Sequence, residues 1–86
     1  MSLELAFTSR GWEDYQHWLS TDRAILKRIN LLITDARRSP TEGIGKPELL
    51  KHLTGSPWSR RITQEHRLVY SFDETRLTVW QCRYHY

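Results

Sequence analysis

Hydrophobic positions change their spacing twice along this chain. Residues 3–8 (LELAFT) alternate, with Leu3, Leu5 and Phe7 on one side, which predicts a short strand. From Ser9, the expected N-cap, the spacing becomes helical, and Trp12, Tyr15, Trp18 and Leu19 fall on one face. Ser20, Thr21 and Asp22 break that helix, and Asp22 suits the cap of the next. Ile25, Leu26, Ile29, Leu32, Ile33 and Ala36 then form the clearest stripe, predicting a helix over about 22–38. Arg37 and Arg38 occupy its last turn, where the helix dipole favours cations, and Ser39-Pro40 ends it. The TEGIGKP segment, 41–47, is a loop, the only one of any length. It lacks the preceding strand and the following Gly-Lys-Ser/Thr that a phosphate-binding loop requires. Beyond it the period drops to two. Residues 49–53 suggest a short strand, 58–65 and 66–72 read as strands, 73–75 turn, and 76–86 form a last strand to the chain end.

This order predicts an α+β fold of two layers: a strand, two helices, then antiparallel strands forming a twisted sheet. The helices should cover one face and leave the other open to solvent or a ligand. Strand parity sharpens the picture. Leu77, Val79, Gln81, Arg83 and His85 share one side of the last strand, and Thr78, Trp80, Cys82, Tyr84 and Tyr86 the other. Packing Leu68, Tyr70 and Phe72 with Trp80 and Cys82 against the helices puts Arg67, Arg83 and His85 on the open face.

A chain of 86 residues has room for one core, so a single domain over 1–86 is expected. Ten aromatic residues (four Trp, four Tyr, two Phe) argue against a disordered chain. Cys82 is the sole cysteine, which excludes an internal disulfide and fits a reducing compartment. No apolar run is long enough to cross a bilayer and no charged-then-apolar leader opens the chain, so the expected location is the cytoplasm. Charge is uneven. Residues 1–45 balance six Lys/Arg with six Asp/Glu, whereas 46–86 carry seven against four and three of the four His. Two readings stay open from charge alone: a polyanion partner, or ordinary solvated sheet charge.

The second half holds the candidate chemistry: Glu48, Lys51, His52, Arg60, Arg61, His66, Arg67, Arg83, His85 and Tyr86. RNA cleavage without a metal needs a base for the 2′-hydroxyl, cations for the charged phosphorane, and an acid for the leaving 5′-oxygen. A carboxylate, an Arg or Lys and a His form a minimal set. Each residue also has a plainer reading. His85 can be a terminal side chain, Glu48 a loop carboxylate paired with Lys46 or Lys51, and Arg60 and Arg61 solvated strand charges. His66 falls on the inner side and reads as structural, His17 and His52 as surface residues. Cys82 sits where a core thiol would, and it and His85 fall on opposite faces, so neither a metal nor another cofactor is expected.

Four ordered segments go further. GIGKPELLKHLTGSPWSRRITQEHRLVYSF and the terminal CRYHY, with WEDYQHW and TDRAILKRINLLI before them, closely resemble the YoeB toxins, the Txe/YoeB branch of the RelE superfamily. The resemblance covers nearly the whole chain. It implies a microbial-RNase-like fold and a toxin of a type II toxin–antitoxin pair that enters the ribosomal A site and cleaves messenger RNA there. Glu48 in KPE then matches the family's general base, His85 in RYHY its general acid, and Arg67 in EHRLVY the stabiliser of the transition state. Tyr86 matches a substrate-positioning tyrosine. Lys51 and Arg61 match basic positions for substrate phosphate, and Arg60 and Arg83 are counted with them. Implied partners are the ribosome, messenger RNA and a YefM/Phd-like antitoxin that is acidic and disordered when free; homodimers also occur in this family. Two departures stand out: Leu49 replaces a second Pro that often follows KPE, and Pro57 an aromatic before Trp58. The alternative reading is a non-catalytic binding module that keeps the fold and basic face. An intact Glu48, Arg67 and His85 set argues against it, since a binder has no need of an acid and a base.

Overall fold

A computed structural model, which describes residues 2–85, gives the order β1 (Glu4–Phe7), α1 (Ser9–Thr21), α2 (Arg23–Arg38), β2 (Glu48–Leu49), β3 (Trp58–Arg61), β4 (Arg67–Phe72) and β5 (Arg76–Gln81). The five strands form one sheet in the order β1-β5-β4-β3-β2. β1 runs parallel to β5, and every other pair is antiparallel. The α+β architecture is therefore as expected. Among the described residues no helix is long and apolar enough to cross a membrane.

Side-chain caps set the helix starts. Thr8, not Ser9, caps α1: its Oγ1 accepts from the Gly11 N–H at 3.0 Å and its hydroxyl donates to the Trp80 carbonyl at 2.9 Å. One residue thus starts the helix and ties it to β5. Gly11 completes the contact, since a Cβ there would lie 2.4 Å from the Val79 carbonyl oxygen. Asp22 caps α2 as expected, accepting from Ala24 and Ile25 at 3.1 Å each. That one residue separates the helices, so the break is narrower than Ser20–Asp22.

The core lies between α2 and the sheet. Ile29, Leu32 and Ala36 of the helical stripe and Leu68, Tyr70, Leu77 and Val79 of β4 and β5 are fully buried, with Trp18 closing one end. Strict alternation fails in β5. Tyr70 pairs with Val79 but Val69 pairs with Gln81, so Trp80 is an extra residue, a β-bulge. Leu77 and Val79 face the helices, whereas Trp80 turns to the opposite face, where its indole N–H donates to Ser71 Oγ at 2.9 Å. The expected inner place of Trp80 is therefore wrong. Cys82 is buried as expected, but only because the bulge restores its side. Phe72 takes the inner face and remains 38% exposed at the sheet end.

The strands are shorter than their patterns suggest. β3 stops at Arg61 and β4 begins at Arg67, because Thr63 Oγ1 accepts from the Glu65 and His66 amides at 3.2 and 3.1 Å and closes a turn. β5 ends at Gln81, leaving 82–85 as a tail, and β2 keeps only Glu48 and Leu49 of its neighbourhood. Residues 50–57 are a second loop, so 41–47 is not alone. On the face away from the helices Ser59 and Val69 are nearly inaccessible, and Gly55 of this loop lies under the Trp80 indole. The second face is consequently not bare. It opens mainly where Arg61 and Arg67 face each other.

Candidate active site

Arg60 shapes the approach to Glu48, and its expected role as a substrate contact is overturned. Its side chain is fully buried on the helix side. All five guanidinium N–H groups are used. Nε donates to the Tyr70 hydroxyl (3.0 Å), Nη1 to Asp35 (2.7 Å) and the Ile44 carbonyl (3.1 Å), and Nη2 to the carbonyls of Ser39 (2.6 Å) and Glu42 (2.9 Å). The Tyr70 hydroxyl in turn donates to the Pro40 carbonyl at 2.6 Å. The glycine-rich loop is therefore wound around one cation whose fixed fork satisfies backbone oxygens that would otherwise be orphaned. Gly43 has φ of +121°, and a Cβ there would lie 2.0 Å from Asp35 Oδ2, so no other residue fits the turn. The Ile44 amide, and after it the Arg60 guanidinium, hold the Asp35 carboxyl below its ordinary value of 3.8.

The loop delivers Glu48 to the outermost strand, exposed and in register with Ser59. Ser59 pairs with Val69 and Arg61 with Arg67, which places Glu48 on the same face as both arginines. Strand spacing and side-chain repeat put its backbone about 8 Å from Arg61 and about 12 Å from Arg67. Lys51 and His52 are exposed in the loop that follows.

The tail is fixed from the opposite side. The Trp18 indole N–H donates to the Cys82 carbonyl at 2.8 Å, and the Cys82 amide donates to Asp14 at 3.1 Å. Two residues on, the Tyr84 amide donates to His66 Nδ1 at 2.7 Å, and the Tyr84 carbonyl accepts from the Arg67 amide at 3.0 Å. The Gln81 side chain donates to the His85 carbonyl at 3.2 Å. His66 is buried, as expected of a structural histidine, with its ring against Trp18. Burial, then the Asp14 charge, pushes the Cys82 thiol up to about 12, so it stays protonated and is no nucleophile.

Arg28, Arg61, Ile62, Thr63, Gln64, Arg67 and His85 line one open basin of about 740 Å³. Three arginines and a histidine thus converge with no carboxylate among the lining residues, so the basin suits an anion. Arg67 is held by Nη1, which donates to the carbonyls of Thr63 (2.8 Å), Gln64 (3.3 Å) and His66 (3.3 Å). Glu48 stands outside the lining set, beyond Arg61 on the next strand. Arg83 is also outside it: its guanidinium lies 4.6 Å from the centre of the Tyr84 ring. Tyr86 lies outside the described residues. Arg28 was missed in the sequence because α2 reads as a scaffold helix. A cation beside its apolar stripe gives no sign that the β3–β4 turn will fold against it, although Arg28 Nη2 donates to the Arg61 carbonyl at 3.1 Å. Among the described residues no three His, Cys, Asp or Glu side chains gather as metal donors.

Residues 7–86 match the family model of the YoeB-like toxin of bacterial type II toxin-antitoxin systems. The chain belongs to that family. Toxin YoeB of Escherichia coli (strain K12) is 52% identical over 84 residues, covering 98% of this chain and all of the relative. A structure described as the YoeB dimer from Staphylococcus aureus superposes with a TM-score of 0.90 at 40% identity, covering both chains fully. One described as the heterotetrameric YoeB-YefM toxin-antitoxin complex from the same organism gives 0.87 at 43% identity, again covering both fully. A YoeB-type toxin of a toxin–antitoxin system is thus the family frame within which the basin is read.

Proposed function

We infer that this YoeB-family chain is a ribosome-dependent endoribonuclease that cuts messenger RNA in the A site by metal-independent acid–base chemistry. The single observation that supports this most is the basin itself, in which Arg61, Arg67 and Arg28 surround His85 on the face that also carries Glu48. In this reading Glu48 removes the proton from the 2′-hydroxyl, and the 2′-oxygen attacks the adjacent phosphorus. Arg67, its guanidinium fixed by three carbonyls, holds the negative charge that builds on the phosphorane oxygens. His85 gives a proton to the departing 5′-oxygen. The products are a 2′,3′-cyclic phosphate and a free 5′-hydroxyl, so atoms and charge balance and DNA is not a substrate. Arg61, Arg28 and Lys51 hold neighbouring phosphates, and Tyr86 positions the substrate. Arg83, stacked on Tyr84, contributes to the tail.

The partners follow from the family. A YefM-like antitoxin with an acidic binding segment would neutralise the basin, and self-association is in keeping with the Staphylococcus aureus YoeB dimer. The test is translation on purified ribosomes with primer-extension mapping of the message. Wild type should cut inside the A-site codon. Glu48→Ala, Arg67→Ala and His85→Ala should each lower the rate by about 10²–10⁴-fold while remaining folded, and Arg28→Ala by a smaller factor. Unchanged cleavage in the first three variants, or cleavage that needs no ribosome, contradicts the reading.

A further inference from the structure

We propose that His66 is a positioning residue: it holds, through Nδ1, the tail that carries His85 in the basin. The role rests on the nuclease reading above, in which His85 is the acid.

A backbone amide can only donate, so the 2.7 Å contact from the Tyr84 N–H makes His66 Nδ1 the acceptor and places the ring proton on Nε2. The ring is 8% exposed and sits edge-on to Trp18 at 4.8 Å. Burial and the Trp18 contact hold the ring, and so its acceptor, in place. Tyr84 needs such a hold, because its φ is +65°, the left-handed region that a side chain with a Cβ enters only under strain. That turn redirects the chain between Arg83 and His85. Both polar backbone groups of Tyr84 are taken by one dipeptide: the amide by His66 Nδ1 and the carbonyl by the Arg67 amide.

His66 acts on the other side of the basin as well. Its carbonyl accepts from the amides of Ile62 (3.0 Å) and Thr63 (3.2 Å) and from Arg67 Nη1 (3.3 Å). One residue thus registers the basin floor, the arginine and the tail against each other. Its backbone does the first two whatever its side chain, whereas the side chain does the third, through the Nδ1 bond and a ring contact with Tyr84 at 5.7 Å. The side chain is consequently specific to His85, which is why packing and hydrogen bonding can be separated by substitution.

Two variants separate them. His66→Phe keeps a ring against Trp18 and removes the acceptor. His66→Asn removes the ring and keeps an acceptor, Oδ1, near the place of Nδ1. On programmed ribosomes, at a temperature where both are folded, His66→Phe should lose about 10²-fold in kcat with KM for the ribosomal complex little changed. His66→Asn should recover most of that loss although it is the less stable protein. In parallel, Tyr84 amide exchange should be slow in wild type and His66→Asn and fast in His66→Phe. A protein that merely needs a packed core at 66 gives the reverse order of activities, and that result, or equal Tyr84 exchange in all three, overturns the proposal. If wild type cuts no message at all, the nuclease reading fails, and the exchange measurement still decides whether His66 holds the tail.

Discussion

The two segments that bring Glu48 and His85 to the sheet are held by opposite means. The 39–47 loop is wound around a buried, fully charged arginine with five donors in use. The 82–85 tail is held mainly by separate bonds from Trp18, Asp14, His66, Arg67 and Gln81. Removing Arg60 leaves a void and three loop carbonyls without their donor, a loss of about 3–5 kcal/mol, while its partner Asp35 stays partly open to water. A neutral hydrogen bond contributes about 1 kcal/mol, and one to a charged group such as Asp14 about 1.5–3 kcal/mol. The carboxylate side is therefore built as part of the fold, whereas the histidine side is adjustable without unfolding it.

The sharpest way to break that contrast is Arg60→Ala. It should destabilise the protein by about 3–5 kcal/mol, a large share of what a small domain has, and abolish activity together with the fold. Chemical denaturation reads this directly, and an unfolding free energy within about 1 kcal/mol of wild type would mean that the knot is dispensable. Acid probes the same knot more gently. Because the folded value of Asp35 lies below its ordinary 3.8, its stabilisation is complete above about pH 4 and is lost as pH falls through the depressed value. Asp35→Asn should thus be less stable at neutral pH and show a flatter loss of stability below about pH 4. The smallest effect belongs to the tail. Trp18→Phe removes the donor to the Cys82 carbonyl and trims a core ring, and should lower stability by about 1–2 kcal/mol. Turnover should fall more than substrate binding. Equal destabilisation by Trp18→Phe and Arg60→Ala would erase the distinction between the two segments.

Much of the scaffold was legible from local rules. The α2 stripe, its Asp22 cap and the order of strands and helices along the chain follow from period and capping chemistry, which act over a few residues. What parity alone missed came from one inserted residue and one long-range knot. The bulge at Trp80 reverses the face of a side chain without changing the hydrophobic pattern, so Trp80 was placed inside. Arg60 sits beside Arg61 in the sequence and differs from it only in strand parity, yet one is wholly buried and the other exposed. Its partners are Asp35, Tyr70 and carbonyls of a loop whose path no pattern specifies. Arg28 enters the basin from a helix for the same reason. Glu48, Arg67 and His85 stand out by motif resemblance alone; the register adds only that Glu48 and Arg67 share a face.

The division of labour between the two segments is tested most directly at the leaving group. A message with sulfur in place of the bridging 5′-oxygen at the scissile bond releases a thiolate, which needs no proton. On programmed ribosomes His85→Ala should be slow on the ordinary message and approach wild-type cleavage on the sulfur-substituted one, while Glu48→Ala stays slow on both. Equal impairment of His85→Ala on the two messages would contradict its role as the acid, and with it the reason for holding the tail in the basin.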